Sequence, residues 1–233
     1  MSLFNLHAGR QTSSYLSLLI LLTLTTLAVA QPEAGDERAI AVPVSDKLVD
    51  FFSGSTPSSI DELEAAQAHV RELAETVQKT VVGVGVGAAQ GSGVIISRDG
   101  YVLTAAHVSG RPGRMARLFL SDGRMVPART LGLNKTFDAG LMKIAIDDWE
   151  DQNWPHADMG SSVDVELGQW VMAVGHPGGF QADRNPVVRL GRIVHTYKDV
   201  LTSDCTLIGG DSGGPLFGMD GRVVGIHSRI GPE

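Results

Sequence analysis

VVGVGVGAAQGSGVIISRDGYVL, residues 81–103, is the stretch whose reading decides the fold class. Valine and isoleucine alternate with small residues, and Asp99-Gly100 stands between two apolar runs. β-Branched residues fit a pleated, half-buried surface, and Asp-Gly supplies the left-handed backbone of a tight hairpin. The pattern then repeats down the chain. Arg117–Leu120 and Met125–Leu133 flank Asp122-Gly123, and Leu141–Ile146 follows. Trp170–Val174, Val187–Tyr197 and Val200–Ser203 come next, and Pro215–Phe217 and Val223–Ile226 flank Asp220-Gly221. About ten short strands with almost no helix after residue 80 predict an all-β barrel or sandwich. A polar stretch at 147–168 divides them into two groups, as two small packed barrels need.

Upstream of Thr80 the period is different. Ser59-Ile60-Asp61-Glu62 is a capping box, with Ser59 as N-cap and Glu62 at N3. Ile60, Leu63, Ala66, Val70, Leu73 and Val77 recur at three- and four-residue spacing, which predicts one amphipathic helix over 59–79 packed on the domain behind it. Residues 31–58 are rich in proline, serine and acids and read as a linker or poorly ordered arm. Phe51-Phe52 is the exception, since two adjacent aromatics dock on their own chain or on a neighbour; a homo-oligomer through this arm is one expectation. Residues 1–30 carry Arg10 without any acid, then an uncharged run from Tyr15, then Ala28-Val29-Ala30. That order is the one an export signal needs, and the apolar run is short for a bilayer span of about 20 residues. The expectation is a cleaved signal and an exported chain, periplasmic or secreted; membrane contact follows only if the segment is not cleaved.

The 233 residues hold 19 Lys+Arg against 26 Asp+Glu, a net charge of −7, and 43% are hydrophobic. Such a composition is globular, and its negative balance opposes a nucleic-acid partner. Cys205 is the single cysteine, so no internal disulfide forms. No Cys/His cluster has metal spacing, and neither metal nor cofactor is expected.

Three pieces carry chemistry: Thr104-Ala105-Ala106-His107, Phe137-Asp138-Ala139-Gly140-Leu141, and Gly209-Gly210-Asp211-Ser212-Gly213-Gly214-Pro215. Their order, His, Asp, Ser, is one known for nucleophilic serine chemistry. A serine hydroxyl needs an imidazole to take its proton and a buried carboxylate to orient that imidazole. The glycines let the amides of Gly210 and Ser212 face one spot, which is an oxyanion hole. His69 and His156 stand in polar surroundings and are poor rivals for the base; His176 and His195 are stronger rivals, but neither sits at a strand-to-turn junction with small neighbours. Asp147, Asp148, Asp158 and Asp164 lie in the connecting stretch.

Gly91–Val108, GSGVIISRDGYVLTAAHV, resembles the HtrA/Deg branch of the trypsin-like serine proteases nearly residue for residue. The spacings of 31 from His107 to Asp138 and 74 from Asp138 to Ser212 are similar to that branch too. The resemblance covers about residues 78–230. It implies two six-stranded-type antiparallel β-barrels, a serine endopeptidase activity and polypeptide substrates. It implies that His107 is the general base, Asp138 its orienting partner and Ser212 the nucleophile, with Gly210, Asp211 and Ser212 around the oxyanion. Thr206, Leu207 and Ile208 then match one wall of the pocket for the residue before the scissile bond. Gly225, Ile226, His227, Ser228 and Arg229 match another.

Two departures stand out. Asp211 precedes the serine where the branch often has asparagine. The sequence ends 21 residues after Ser212, where relatives continue with further strand and helix. The domain at 80–233 is therefore expected to have a second barrel cut short, and a protease-fold binding or sensor protein with little activity is the competing expectation. At the position where basic-specific relatives carry an acid stands Thr206, so small or medium apolar residues are the expected preference.

Overall fold

The computed structural model describes residues 39–146, 153–198 and 200–228. The segment expected to be an export signal, the connecting acids Asp147 and Asp148, and Arg229 lie outside them. Six strands form a closed antiparallel barrel: β2 (Val81–Val86), β3 (Ala89–Ile95), β4 (Tyr101–Ala105), β5 (Met115–Phe119), β6 (Met125–Asn134) and β7 (Ala139–Ile144). β1 (Ala39–Ile40) precedes them, and the barrel order is β2-β3-β4-β7-β6-β5. Strict alternation in β6 and β7 turns Val126, Ala128, Met142 and Ile144 inward, where they meet Val84, Ile95, Val102 and Leu118. Period-two patterning is the cause, because successive side chains leave a strand on opposite faces. Gly100, in the Asp99-Gly100 turn, has φ +89°, a conformation glycine adopts without penalty.

The second group forms an open five-stranded antiparallel sheet, ordered β11-β10-β9-β12-β13. Its strands are β9 (Trp170–Gly175), β10 (Val187–Tyr197), β11 (Val200–Ser203), β12 (Pro215–Gly218) and β13 (Val223–Ile226). β9 is buried on both faces. Val171 and Ala173 meet Ile193, Cys205 and Leu216 inside the curled sheet, while Met172 and Val174 face the other way. That other face is covered by the N-terminal segments, so the molecule has a third apolar cluster joining both halves. Among the described residues, one closed barrel and one curled five-stranded sheet stand where two barrels were expected.

Helix α2 (Ile60–Val77) begins where the capping box places it, Ser59 Oγ accepting from the Glu62 amide at 3.1 Å. The reciprocal bond shifts one residue upstream, since Glu62 accepts from the Ser58 amide and hydroxyl. Leu73 and Val77 are fully buried, but Ile60 and Leu63 are exposed, so the packed face starts only at Ala66. Part of the stretch expected to be a linker or poorly ordered arm is regular instead. α1 (Asp46–Phe52) buries both phenylalanines on its own chain, Phe51 stacking on Trp170 at 5.9 Å between ring centres. Ala39 and Ile40 pair in parallel with His156 and Ala157, the two-residue strand β8.

Two histidines expected in polar, solvated surroundings are in fact buried. His69 Nε2 lies 2.7 Å from the Met219 carbonyl, and His156 Nδ1 lies 2.9 Å from that of Trp154. Both bond to backbone inside the fold, which removes them as candidate bases.

Candidate active site

β4 ends at Ala105, and the single turn α3 (Ala106–Ser109) follows directly, putting His107 on a barrel rim. Ala105 pairs with Ala139, so the start of β7 lies beside that turn. Asp138 comes just before it with φ +51°, a left-handed conformation that is costly for a side-chain-bearing residue and tolerated best by Asp and Asn. Three bonds hold it there. Its carbonyl accepts from the Ala106 amide at 2.9 Å, its Oδ1 from the His107 amide at 3.0 Å, and its Oδ2 lies 2.7 Å from His107 Nδ1. The carboxylate thus clamps the turn and the imidazole together. Asp138 is 14% exposed and His107 50%, so the acid is sheltered while the ring faces the surface.

The Ser212 loop leaves the second sheet and returns to the first barrel. Ser92 on β3, fully buried, is the junction. Its amide donates to the Ser212 carbonyl at 2.8 Å and its hydroxyl to the Gly210 carbonyl at 2.8 Å, while that hydroxyl accepts from the His176 amide. Its own carbonyl accepts from Thr104 Oγ1 at 2.7 Å, on the strand that leads into the His107 turn. A Cβ on Gly91 would lie 2.8 Å from the Ser212 carbonyl oxygen and 2.7 Å from a Val108 methyl. One glycine's breadth therefore separates the backbone of the serine from the residue after the histidine.

Peptide planarity fixes two amides in this loop. Carbonyl and following N–H point to opposite sides of a trans peptide. The Gly209 carbonyl accepts from Gly178 at 2.6 Å and the Asp211 carbonyl from Gly214 at 2.8 Å, which directs the Gly210 and Ser212 amides away from those partners. The Asp211 amide donates to the Ile208 carbonyl at 3.1 Å, so that third donor is engaged within the loop. Gly210 has φ +98°, and a Cβ there would fall 2.4 Å from the His176 carbonyl, which leaves glycine as the residue that fits.

The residues expected to wall a pocket flank this loop. Leu207 packs on the core of the second sheet, while Thr206 and Ile208 are exposed. Gly225, Ile226 and Ser228 are half-buried; His227 is buried and paired through its backbone with Gly213 and Gly214. Burial, then the Arg189 charge, lowers the His227 pKa to about 4. Burial and Arg184 do the same to His176, also to about 4, so both rings are neutral above mildly acidic pH. His195 is exposed on β10, and Asp158 and Asp164 are exposed, far along the chain from the His107 turn. Burial pushes the Cys205 thiol up, which makes it a poor nucleophile. Among the described residues no three His, Cys, Asp or Glu side chains gather as metal ligands, and no helix is long and apolar enough to cross a membrane.

Ser92 and Arg189 are the residues that sequence reasoning did not single out. Ser92 stood inside a motif read for its histidine. Arg189 is a lone cation between Val188 and Leu190 in an apolar run, which is a weak signal by itself.

A family model described as trypsin-like peptidase domain matches residues 91–226. A "probable periplasmic serine endoprotease DegP-like" of Pseudomonas fulva is 31% identical over 209 residues, covering 85% of this chain and 42% of that protein. One of the same description from Marinomonas sp. is 40% identical over 144 residues, covering 60% of this chain and 29% of that protein. The chain thus spans less than half the length of these relatives. The crystal structure of Deg5 superposes with a TM-score of 0.60 at 21% identity, covering 72% of this chain and 88% of that one, a likeness of fold. With the match spanning more than half its length and the His107 and Ser212 segments both inside it, the chain belongs to the trypsin-like peptidase family, in its HtrA/Deg branch.

Proposed function

We propose that the chain is an exported serine endopeptidase that cleaves polypeptides through an acyl-enzyme on Ser212. The observation that carries this reading is the 2.7 Å contact between His107 Nδ1 and Asp138 Oδ2, beside a serine loop bonded to the same barrel. Asp138 holds Nδ1 protonated, which leaves Nε2 free to take the Ser212 proton as Oγ attacks the scissile carbonyl. The Gly210 and Ser212 amides then stabilise the oxyanion, and His107 returns the proton to the leaving amine. Water repeats the sequence on the acyl-enzyme and frees Ser212.

Thr206, Leu207, Ile208, Gly225, Ile226, His227 and Ser228 include no acid, so substrate Lys or Arg would find no counter-charge there. A preference for Val, Ala or Leu before the cleaved bond follows. Export is supported by the order of segments in residues 1–30 and by the periplasmic relatives. Sequencing the exported form checks it, with Gln31 expected as the first residue.

A fluorophosphonate probe tests the chemistry. Labelling of the parent chain, lost in Ser212→Ala together with hydrolysis of an unfolded polypeptide, is the expected result. A parent chain that stays unlabelled yet binds peptide would make it a binding protein on a protease fold.

A further inference from the structure

We infer that Arg189 is a positioning residue that orders the oxyanion loop through Asp211, an inference that rests on the reading of Ser212 as nucleophile. Asp211, directly before Ser212, is 1% exposed. A carboxylate this buried needs a counter-charge and full hydrogen bonding. Arg189 supplies both by a two-point contact, Nη1 to Oδ1 and Nη2 to Oδ2, each 3.2 Å. A planar guanidinium facing both carboxylate oxygens fixes orientation as well as charge. The guanidinium itself comes from mid-β10, where Arg189 pairs with Ala173 of β9, so the cation is anchored in the sheet.

The same carboxylate reaches across the loop. Asp211 Oδ2 accepts from the Ile208 amide at 3.0 Å while the Asp211 amide donates to the Ile208 carbonyl at 3.1 Å. Side chain and main chain of Asp211 together close a clasp whose span is Gly209-Gly210. Those two residues have no side chains to pack, and Gly209 is exposed with open space where a Cβ would be. The Gly210 amide is one of the two oxyanion donors. Its direction therefore depends on the clasp, and the clasp on Arg189. The carboxylate has no room to turn elsewhere, since a Cβ on Gly175 would lie 2.6 Å from Asp211 Oδ1. His227, buried and neutral nearby, supplies no rival cation.

The test compares the full chain with Arg189→Met, Arg189→Lys and Arg189→Met/Asp211→Asn. Two quantities are read: kcat and KM on a chromogenic peptide, and 15N relaxation of the Gly209 and Gly210 amides. Loss of one oriented oxyanion donor predicts a kcat lower by about 10- to 1000-fold in Arg189→Met. KM should stay within about threefold, because the group acts in the transition state. The two glycine amides should become more mobile. Adding Asp211→Asn should recover kcat at least about tenfold, since a neutral amide needs no counter-charge and its oxygen still accepts from Ile208. A merely structural role would lower thermal stability without this split or this recovery. A folded Arg189→Met with parental kcat and parental amide relaxation overturns the inference. If Arg189→Met does not fold, Arg189→Lys decides. Loss of the fork predicts kcat at least about fivefold lower at unchanged KM, and parental values in both readouts overturn it. Ser212→Ala is run alongside. Undiminished hydrolysis there would mean the nucleophile assignment has failed, and the glycine relaxation alone then decides whether Arg189 orders this loop.

Discussion

The closed barrel and the open sheet hold their site residues by different means. In the barrel, His107 and Asp138 sit at adjoining strand ends, and the β4–β7 ladder sets their distance. No strand of the barrel has an unpaired edge, and its interior is filled by alternating apolar residues. In the open sheet, the Ser212 loop is held by polar contacts that reach far along the chain: Ser92 to Gly210, Gly178 to Gly209, Arg189 to Asp211. The sheet's other face, with Met172 and Val174, is packed against α1 and α2. The lesson is that the proposed base and acid are placed by secondary structure, whereas the proposed nucleophile and oxyanion donors are placed by tertiary bonds.

The sharpest way to break this comparison is at the chemistry, where the two halves must act as one unit. His107→Ala and Ser212→Ala should each lower kcat by at least about 10,000-fold, and the double variant should lose little more. Additive losses measured on a peptide substrate would mean that the halves contribute separately.

Packing comes next. Leu73 on α2 and Met142 on β7 are both fully buried, and either change to alanine should cost about 2–5 kcal/mol. Hydrogen exchange separates them: Leu73→Ala should release β9 and β12 first, Met142→Ala the barrel strands. Identical exchange patterns would show that the halves unfold as one body.

Acid should act on the second half through His176 and His227. Each has a pKa lowered to about 4 by burial, whereas an unfolded histidine binds its proton near 6.5. The unfolded state therefore holds more protons between those values, so stability is complete above about pH 6.5 and falls as pH drops towards 4. The loss is on the order of 3 kcal/mol per ring. Urea unfolding at several pH values checks this, and His227→Asn should flatten the slope. A slope unchanged by replacing either ring would assign acid sensitivity to other groups.

Ser92→Ala cuts the junction itself. It leaves the Gly210 carbonyl and the His176 amide without their partner, at a cost of about 1–3 kcal/mol each before relaxation. Lower kcat should accompany it while the fluorescence of the folded state persists. The smallest effect belongs to the barrel surface. Arg124 and Asp122 are 60% and 50% exposed, and Arg124→Ala should change stability by less than about 0.5 kcal/mol. A larger loss by thermal unfolding would show the barrel rim to be more strained than its ladder suggests.

Sequence by itself determined the strands after residue 80, the Asp-Gly turns, the start of α2 and the order His107, Asp138, Ser212. These are local properties: period-two burial, left-handed turns and capping depend on neighbours a few residues away. Tertiary structure alone decided the rest. His69 and His156 look solvated in sequence but are buried, His69 against the Met219 carbonyl 150 residues on and His156 against that of Trp154 two residues back. Ile60 and Leu63 match the apolar face of α2, yet that face has a partner only from Ala66 onward. Phe51 found Trp170 only because the sheet curls beneath α1. Ser92 and Arg189 bond to Gly210 and Asp211 at separations of 118 and 22 residues. No periodicity encodes such contacts, because a hydroxyl or a guanidinium gains its role from whichever buried polar group the folded chain brings within its reach.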